Sequence, residues 1–106
     1  MKDLTIGLLN ELYGKLITEK QSDIIRSYYD YDLSLAEIAS TYGVSRQAAH
    51  DAIKKGEQSL LDCEYKLGFL AKNYGLKEEL ESVLENIENN DLNSAKESIK
   101  KLINNL

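Results

Sequence analysis

The chain has 106 residues, no proline, one cysteine (Cys63) and a formal net charge of −5 at pH 7. That length suits one domain with a modest core. A lone cysteine excludes an internal disulfide, so a reducing cytoplasm is the expected compartment. No apolar run approaches the ~20 residues of a membrane span, and Met1-Lys-Asp-Leu lacks the apolar core of a signal peptide. Strand-like alternation is absent and apolar residues recur every three or four positions, so the fold class is all-α.

A first helix is expected from about Asp3 to Leu16, with Leu4, Leu8, Leu9, Leu12, Leu16 and Ile17 on its buried side. Thr18 with Gln21 forms a capping box that opens a second helix near Glu19 to Asp30. Ile24, Ile25, Tyr28 and Tyr29 are its core face. Tyr28, Tyr29 and Tyr31 could stack on bases; at helical spacing, packing with hydroxyls in water is the expected role.

After the connection Asp30-Tyr-Asp-Leu33 comes the most informative stretch, Ser34 to Lys55. Ser34 and Glu37 form a second capping box. Ile38, Ala39 and Tyr42 supply an inward face, with Ala39 small where two crossing helices approach. Gly43 takes the left-handed conformation of a sharp turn. Val44 plugs the gap between the helices, and Ser45 caps the helix that follows. These features in register describe a helix-turn-helix.

In that following helix Ala49 and Ile53 face inward. Arg46, Gln47, His50, Asp51 and Lys54 fall at i, i+1, i+4, i+5 and i+8, an outward polar stripe such as a recognition helix requires. Arg46 can fork to guanine O6/N7 and Gln47 can pair with adenine N6/N7, while Lys54 and Lys55 suit the phosphate backbone. The candidate DNA-binding residues are thus Arg46, Gln47, His50, Asp51, Lys54 and Lys55.

The same helix has no obvious stop before Asn73-Tyr-Gly75, where Gly75 is the C′ candidate. Ala49, Ile53, Gly56, Leu60, Cys63, Leu67, Leu70 and Tyr74 alternate in steps of four and three, a heptad seam. Gly56 lies on the seam, where a missing side chain permits close approach. Gly56 and Gly68 each weaken the helix by ~1 kcal/mol relative to alanine. The seam can pack on the N-terminal helices of its own chain or on a second copy, and one stripe does not choose between them. Leu76, Leu80, Val83, Leu84 and Ile87 mark another helix, Asn89-Asn-Asp91 breaks it, and Leu92, Ala95, Ile99, Leu102, Ile103 and Leu106 mark a last one. This αα-hairpin is expected to be acidic outside and apolar inside.

No catalytic constellation is present, and no cofactor or metal is expected. His50 and Cys63 lie on different faces without zinc spacing, and neither a phosphate-binding loop nor a dinucleotide fingerprint occurs. Cys63 falls on the seam as a small buried hydrophobe. Enzyme activity is not expected. Charge cuts the other way for DNA: residues 1–75 carry 9 basic and 11 acidic side chains, and 76–106 carry 4 and 7. Residues 45–55 hold three cations and one acid, a locally positive patch on a chain more acidic than most autonomous DNA binders. Dimerisation would double the contacts.

The block Ser34-Leu-Ala-Glu-Ile-Ala followed by Gly43-Val-Ser-Arg-Gln-Ala48, with the approach Leu16-Ile-Thr-Glu-Lys-Gln, resembles the YlxM family of small bacterial proteins. The region is also similar to the fourth domain of RNA polymerase sigma factors. The similarity covers residues about 1–72. It implies a sigma-4-like helix-turn-helix bundle with a long extended recognition helix. It also implies a cytoplasmic protein whose gene neighbours those of the signal recognition particle (SRP), with a regulatory role in that targeting pathway. By position Arg46, Gln47, His50 and Lys54 take the places of base- or phosphate-contacting residues. His50 stands where relatives often carry an aromatic, and Ala49 is smaller than the usual valine-like plug.

The expectation is therefore a helix-turn-helix domain over 1–72 and a C-terminal helical hairpin over 73–106. It would act as a DNA-binding regulator in the SRP pathway, most plainly as a homodimer, which places two such helices on successive major grooves. The alternative is a protein-interaction module that docks to an SRP component, ribosome-associated RNA or RNA polymerase.

Overall fold

A computed structural model describes residues 2–106. Those residues form six α-helices and one 3-10 turn, with no strand among them. The helices are α1 (Leu4–Tyr13), α2 (Glu19–Tyr29), α3 (Leu35–Tyr42), α4 (Arg46–Leu67), α5 (Phe69–Glu88) and α6 (Leu92–Asn104). The 3-10 turn spans Gly14–Leu16. The chain divides into two compact units, Met1–Leu70 and Ala71–Leu106.

The first unit is built around Leu9, Tyr13, Ile24, Ile25, Ile38, Ala49, Ile53 and Leu60, all buried. The capping boxes form as their sequences dictate. Thr18 accepts from the Gln21 amide while Gln21 accepts from the Thr18 amide, and Ser34 and Glu37 do the same. Each satisfies two amides that a helix start leaves orphaned. Ser34→Ala is expected to cost about 1 kcal/mol, read as a lowered urea midpoint with an unchanged slope.

The expected face of α1 is corrected in part: Leu9 is buried and Ile17 partly so, as expected, but the other four leucines are not. Leu4, Leu8, Leu12 and Leu16 are exposed, and the buried residues are Ile6, Leu9, Asn10 and Tyr13. A polar residue holds a core position because both its amide nitrogen and its amide oxygen find a partner. Asn10 Nδ2 donates to the Ser22 carbonyl at 3.1 Å, and Ser22 Oγ donates to Asn10 Oδ1 at 2.9 Å. That exchange binds α1 to α2 at no desolvation debt.

The seam of α4 is internal over its first half. Ala49, Ile53, Gly56 and Leu60 are buried, and α4 packs on α1, α2 and α3. A Cβ on Gly56 would stand 2.9 Å from Ile25 Cγ1, so the helices meet there closer than any side chain allows. Cys63 and Leu70 are partly buried against the core, whereas Leu67 and Tyr74 are exposed. The expected end of this helix is also corrected. Gly68, not Gly75, adopts the left-handed conformation, with φ 67°, and α5 runs straight through Asn73-Tyr-Gly75. The break at Gly68 is held by a clasp. Tyr13 Oη donates to Glu64 Oε1 at 2.6 Å, the Phe69 amide donates to Tyr13 Oη, and the Leu70 amide donates to Glu64 Oε1. A buried phenol and a carboxylate thus cap the first turn of α5, a device invisible to local patterning. Burial and the Glu64 hydrogen bond push the Tyr13 phenol upward from its ordinary pKa.

In the second unit Asn90 takes a positive φ of 61°, and Asp91 caps α6 by accepting from the Ser94 amide. That hydrogen bonding holds the Asp91 carboxyl below its ordinary pKa. Only Val83 of α5 and Ala95 of α6 are buried in this unit. The apolar interior expected of the hairpin is therefore open: Leu76, Leu80, Leu84, Ile87, Ile99 and Ile103 all remain exposed.

Candidate nucleic-acid interface

The turn between α3 and α4 positions the site. Gly43 has φ 65°, and a Cβ there would meet nothing within 4 Å, so dihedral freedom rather than space demands glycine. The Val44 amide donates to the Ala39 carbonyl at 3.0 Å, closing α3 in a Schellman-type end. Val44 packs against the core, and Ser45 Oγ accepts from the Ala48 amide. Ile38, Ala39, Ala49 and Ile53 lock the two helices together from inside. The crossing is thereby packed from inside, and the outer side of α4 is left to solvent.

A loop contact unseen in the sequence braces this arrangement. Lys2 Nζ donates to the Tyr28 and Leu33 carbonyls at 2.8 and 3.0 Å, lies 3.0 Å from Asp32 Oδ1, and sits over the Tyr28 ring. The connection from α2 into α3 is pinned by one cation. Tyr28 and Tyr29 pack edge to face against the core, and Tyr31 is exposed.

All six candidate residues lie on α4. Arg46, Gln47, Asp51, Lys54 and Lys55 are exposed, and His50 is half-buried. Arg46, Gln47 and His50 line a shallow surface cleft with Leu35 at the start of α3. Three residues able to read or contact a base thus converge beside the first turns of α4. Several have neighbours of their own. Gln47 Nε2 donates to Asp51 Oδ1 at 3.0 Å, which orders the amide but occupies it. His50 Nδ1 is buried without a hydrogen-bond partner, 3.6 Å from Asp51 Oδ1. Lys54 Nζ lies 3.4 Å from Glu57 Oε2.

Glu57 is the residue the polar stripe did not flag. It stands three positions after Lys54, the spacing that pairs charges on one helix face. Its other oxygen accepts from the Tyr29 hydroxyl, so its carboxylate is fixed rather than free to swing away. Burial, reinforced by that bond, raises the Tyr29 phenol above its ordinary pKa. The local field of α4 is consequently less positive than a count of 45–55 suggests. Among the described residues no cluster of His, Cys, Asp or Glu could hold a metal ion, and no helix is long and apolar enough to cross a membrane.

Comparison with known proteins agrees with this geometry. Residues 1–104 match the profile of a family described as "UPF0122: Putative helix-turn-helix protein, YlxM / p13 like". The chain is 43% identical over 103 residues to a UPF0122 protein of Symbiobacterium thermophilum, covering 96% of each chain. It is 43% identical over 96 residues to one of Desulforamulus reducens, covering 91% of this chain and 82% of that one. A UPF0122 protein of Fusobacterium nucleatum is 39% identical over 101 residues, with 95% and 91% covered. Over nearly its whole length, this chain belongs to the UPF0122, YlxM/p13-like family of helix-turn-helix proteins.

Proposed function

We propose that the chain is a DNA-binding regulatory protein that presents the first half of α4 to the major groove of a duplex as a homodimer. The observation that carries this reading is the cleft at Arg46, Gln47 and His50, held outward by the Gly43 turn and a buried α3–α4 crossing. Arg46 reads guanine, Gln47 reads adenine, His50 and Asp51 flank the base edges, and Lys54 and Lys55 hold phosphates. Asp51 also orders Gln47. Residues 1–72 are the reader in this scheme, and 73–106 serve packing or a partner. The regulatory setting is the SRP pathway in the cytoplasm, a proposal resting on the family resemblance alone.

A salt titration of binding to pooled random duplexes tests it. Binding should weaken linearly in log–log form, and Lys55→Ala should reduce the slope by about one per bound copy. A slope unchanged by Lys55→Ala removes the phosphate contact, and absence of binding at low salt removes the reading.

A second reading keeps the scaffold but docks it to an SRP component, ribosome-associated RNA or RNA polymerase. The net charge of −5 and the carboxylate of Glu57 beside Lys54 favour it. Failure of the duplex titration, with retention of one of those partners on the immobilised chain and its loss in Arg46→Ala, would select this alternative.

A further inference from the structure

We infer that the apolar face of the α5–α6 hairpin is a self-association surface, on which a second copy of this chain seats its own hairpin to close a four-helix bundle. This deepens the two-copy reading above by giving it an interface, and it is tested without DNA so that either can fail alone.

The hairpin does not satisfy itself. The unit Ala71–Leu106 buries one valine and one alanine, far less than a unit of that size needs without an added support. On α5, Leu76, Leu80, Leu84 and Ile87 form one stripe by their spacing of four, four and three. On α6, Ile99 and Ile103 stand one turn apart. These six side chains are between 39% and 63% exposed. Together they leave roughly 500 Å² of apolar surface, at the size of the largest patch on a typical monomer, about 300–600 Å², which is often an interaction site. A mating copy removes about 1,000 Å² in all before its polar rim is counted, the threshold for a specific interface. The exposed row on α1 is one helix wide; the hairpin face is two, and a layer of two helices with one apolar side is half of a four-helix bundle.

Charge selects a second copy over a different partner. Val83 is the buried edge of the α5 stripe, so Glu81 and Glu88 lie on the opposite, outer flank, beyond Leu84. Lys77 shares that flank, 4.0 Å from Glu81 Oε1. Ala95 is the buried edge of α6, which puts Lys96 and Lys100 on its outer flank, beside Ile99 and Ile103; Lys100 lies 3.9 Å from Glu97. A two-fold axis running along the bundle sets α5 of one copy opposite α6 of the other. The acidic flank then meets the basic flank on both sides, with Glu81 and Lys100 at about equal distance from the turn at Asn90. One surface supplies both halves of its own complement.

Sedimentation of the full chain, over concentrations up to hundreds of micromolar, should give a dimer. A monomer throughout that range overturns the proposal. Leu80→Glu and Ile103→Glu should each give monomers that keep the cooperative melting of the first unit; a dimer unaffected by both overturns it. Charge reversal guards against a trivial unfolding result. Glu81→Lys should weaken the dimer roughly tenfold, two flanks being affected, and adding Lys100→Glu should restore it. A double variant as weak as the single one, with normal helicity, overturns the pairing of α5 with α6.

Discussion

Leu60→Ala is expected to lower the free energy of unfolding by about 2–5 kcal/mol, whereas Leu67→Ala, seven residues on along the same seam, should cost less than about 1 kcal/mol. Leu60 is fully buried, deep in the cluster of Leu9, Tyr13, Ile25 and Ile53. Truncation there removes its transfer free energy and opens a void that close-packed neighbours do not fill. Leu67 is the last residue of α4 and 42% exposed, so alanine removes little buried surface. Urea denaturation followed by circular dichroism compares the two. Equal, large losses would mean that a second copy covers Leu67 in solution, and equal, small ones would contradict the packing of α4 on α1 and α2.

The second large effect is expected at the reader helix. Arg46→Ala should weaken binding to a preferred duplex by about ten- to a hundredfold for each bound copy, the ~1–3 kcal/mol of a bidentate base contact. Glu57→Gln should do the opposite. Glu57 holds Lys54 at 3.4 Å and is itself held by Tyr29, so a neutral amide releases the lysine to phosphate. A gain of up to about fivefold at low salt is expected, within the range of an exposed ion pair. Fluorescence anisotropy on one labelled duplex reads both variants. Equal binding by Arg46→Ala and the unmutated chain would remove Arg46 from the interface.

The helix-turn-helix was legible because its determinants are local. Ser34, Glu37, Gly43 and Ser45 act through bonds and dihedrals within a few residues of themselves, and each formed as its type requires. The close approach at Gly56 was legible too, since a glycine on an apolar seam marks a place where backbones meet. What escaped depended on partners distant in sequence. The face of α1 was misread because periodicity favours leucines, yet Asn10 is buried through an exchange with Ser22. The helix end at Gly68 was misplaced because its clasp comes from Tyr13, more than fifty residues away. At the site, spacing put the six side chains on α4, but the hold of Tyr29 on Glu57 belongs to tertiary packing. Glu57 beside Lys54 was readable from three-residue spacing alone, and weighing it would have tempered the positive charge of residues 45–55.

Selection from a random duplex pool, run in parallel with the unmutated chain and with Arg46→Ala, interrogates the reader helix most directly. Enrichment of a motif containing a guanine, with preference at that base relaxed in Arg46→Ala and the rest of the motif kept, is the expected result. No enrichment, or one motif recovered unchanged from both proteins, would contradict the assignment of α4 as a reader of DNA.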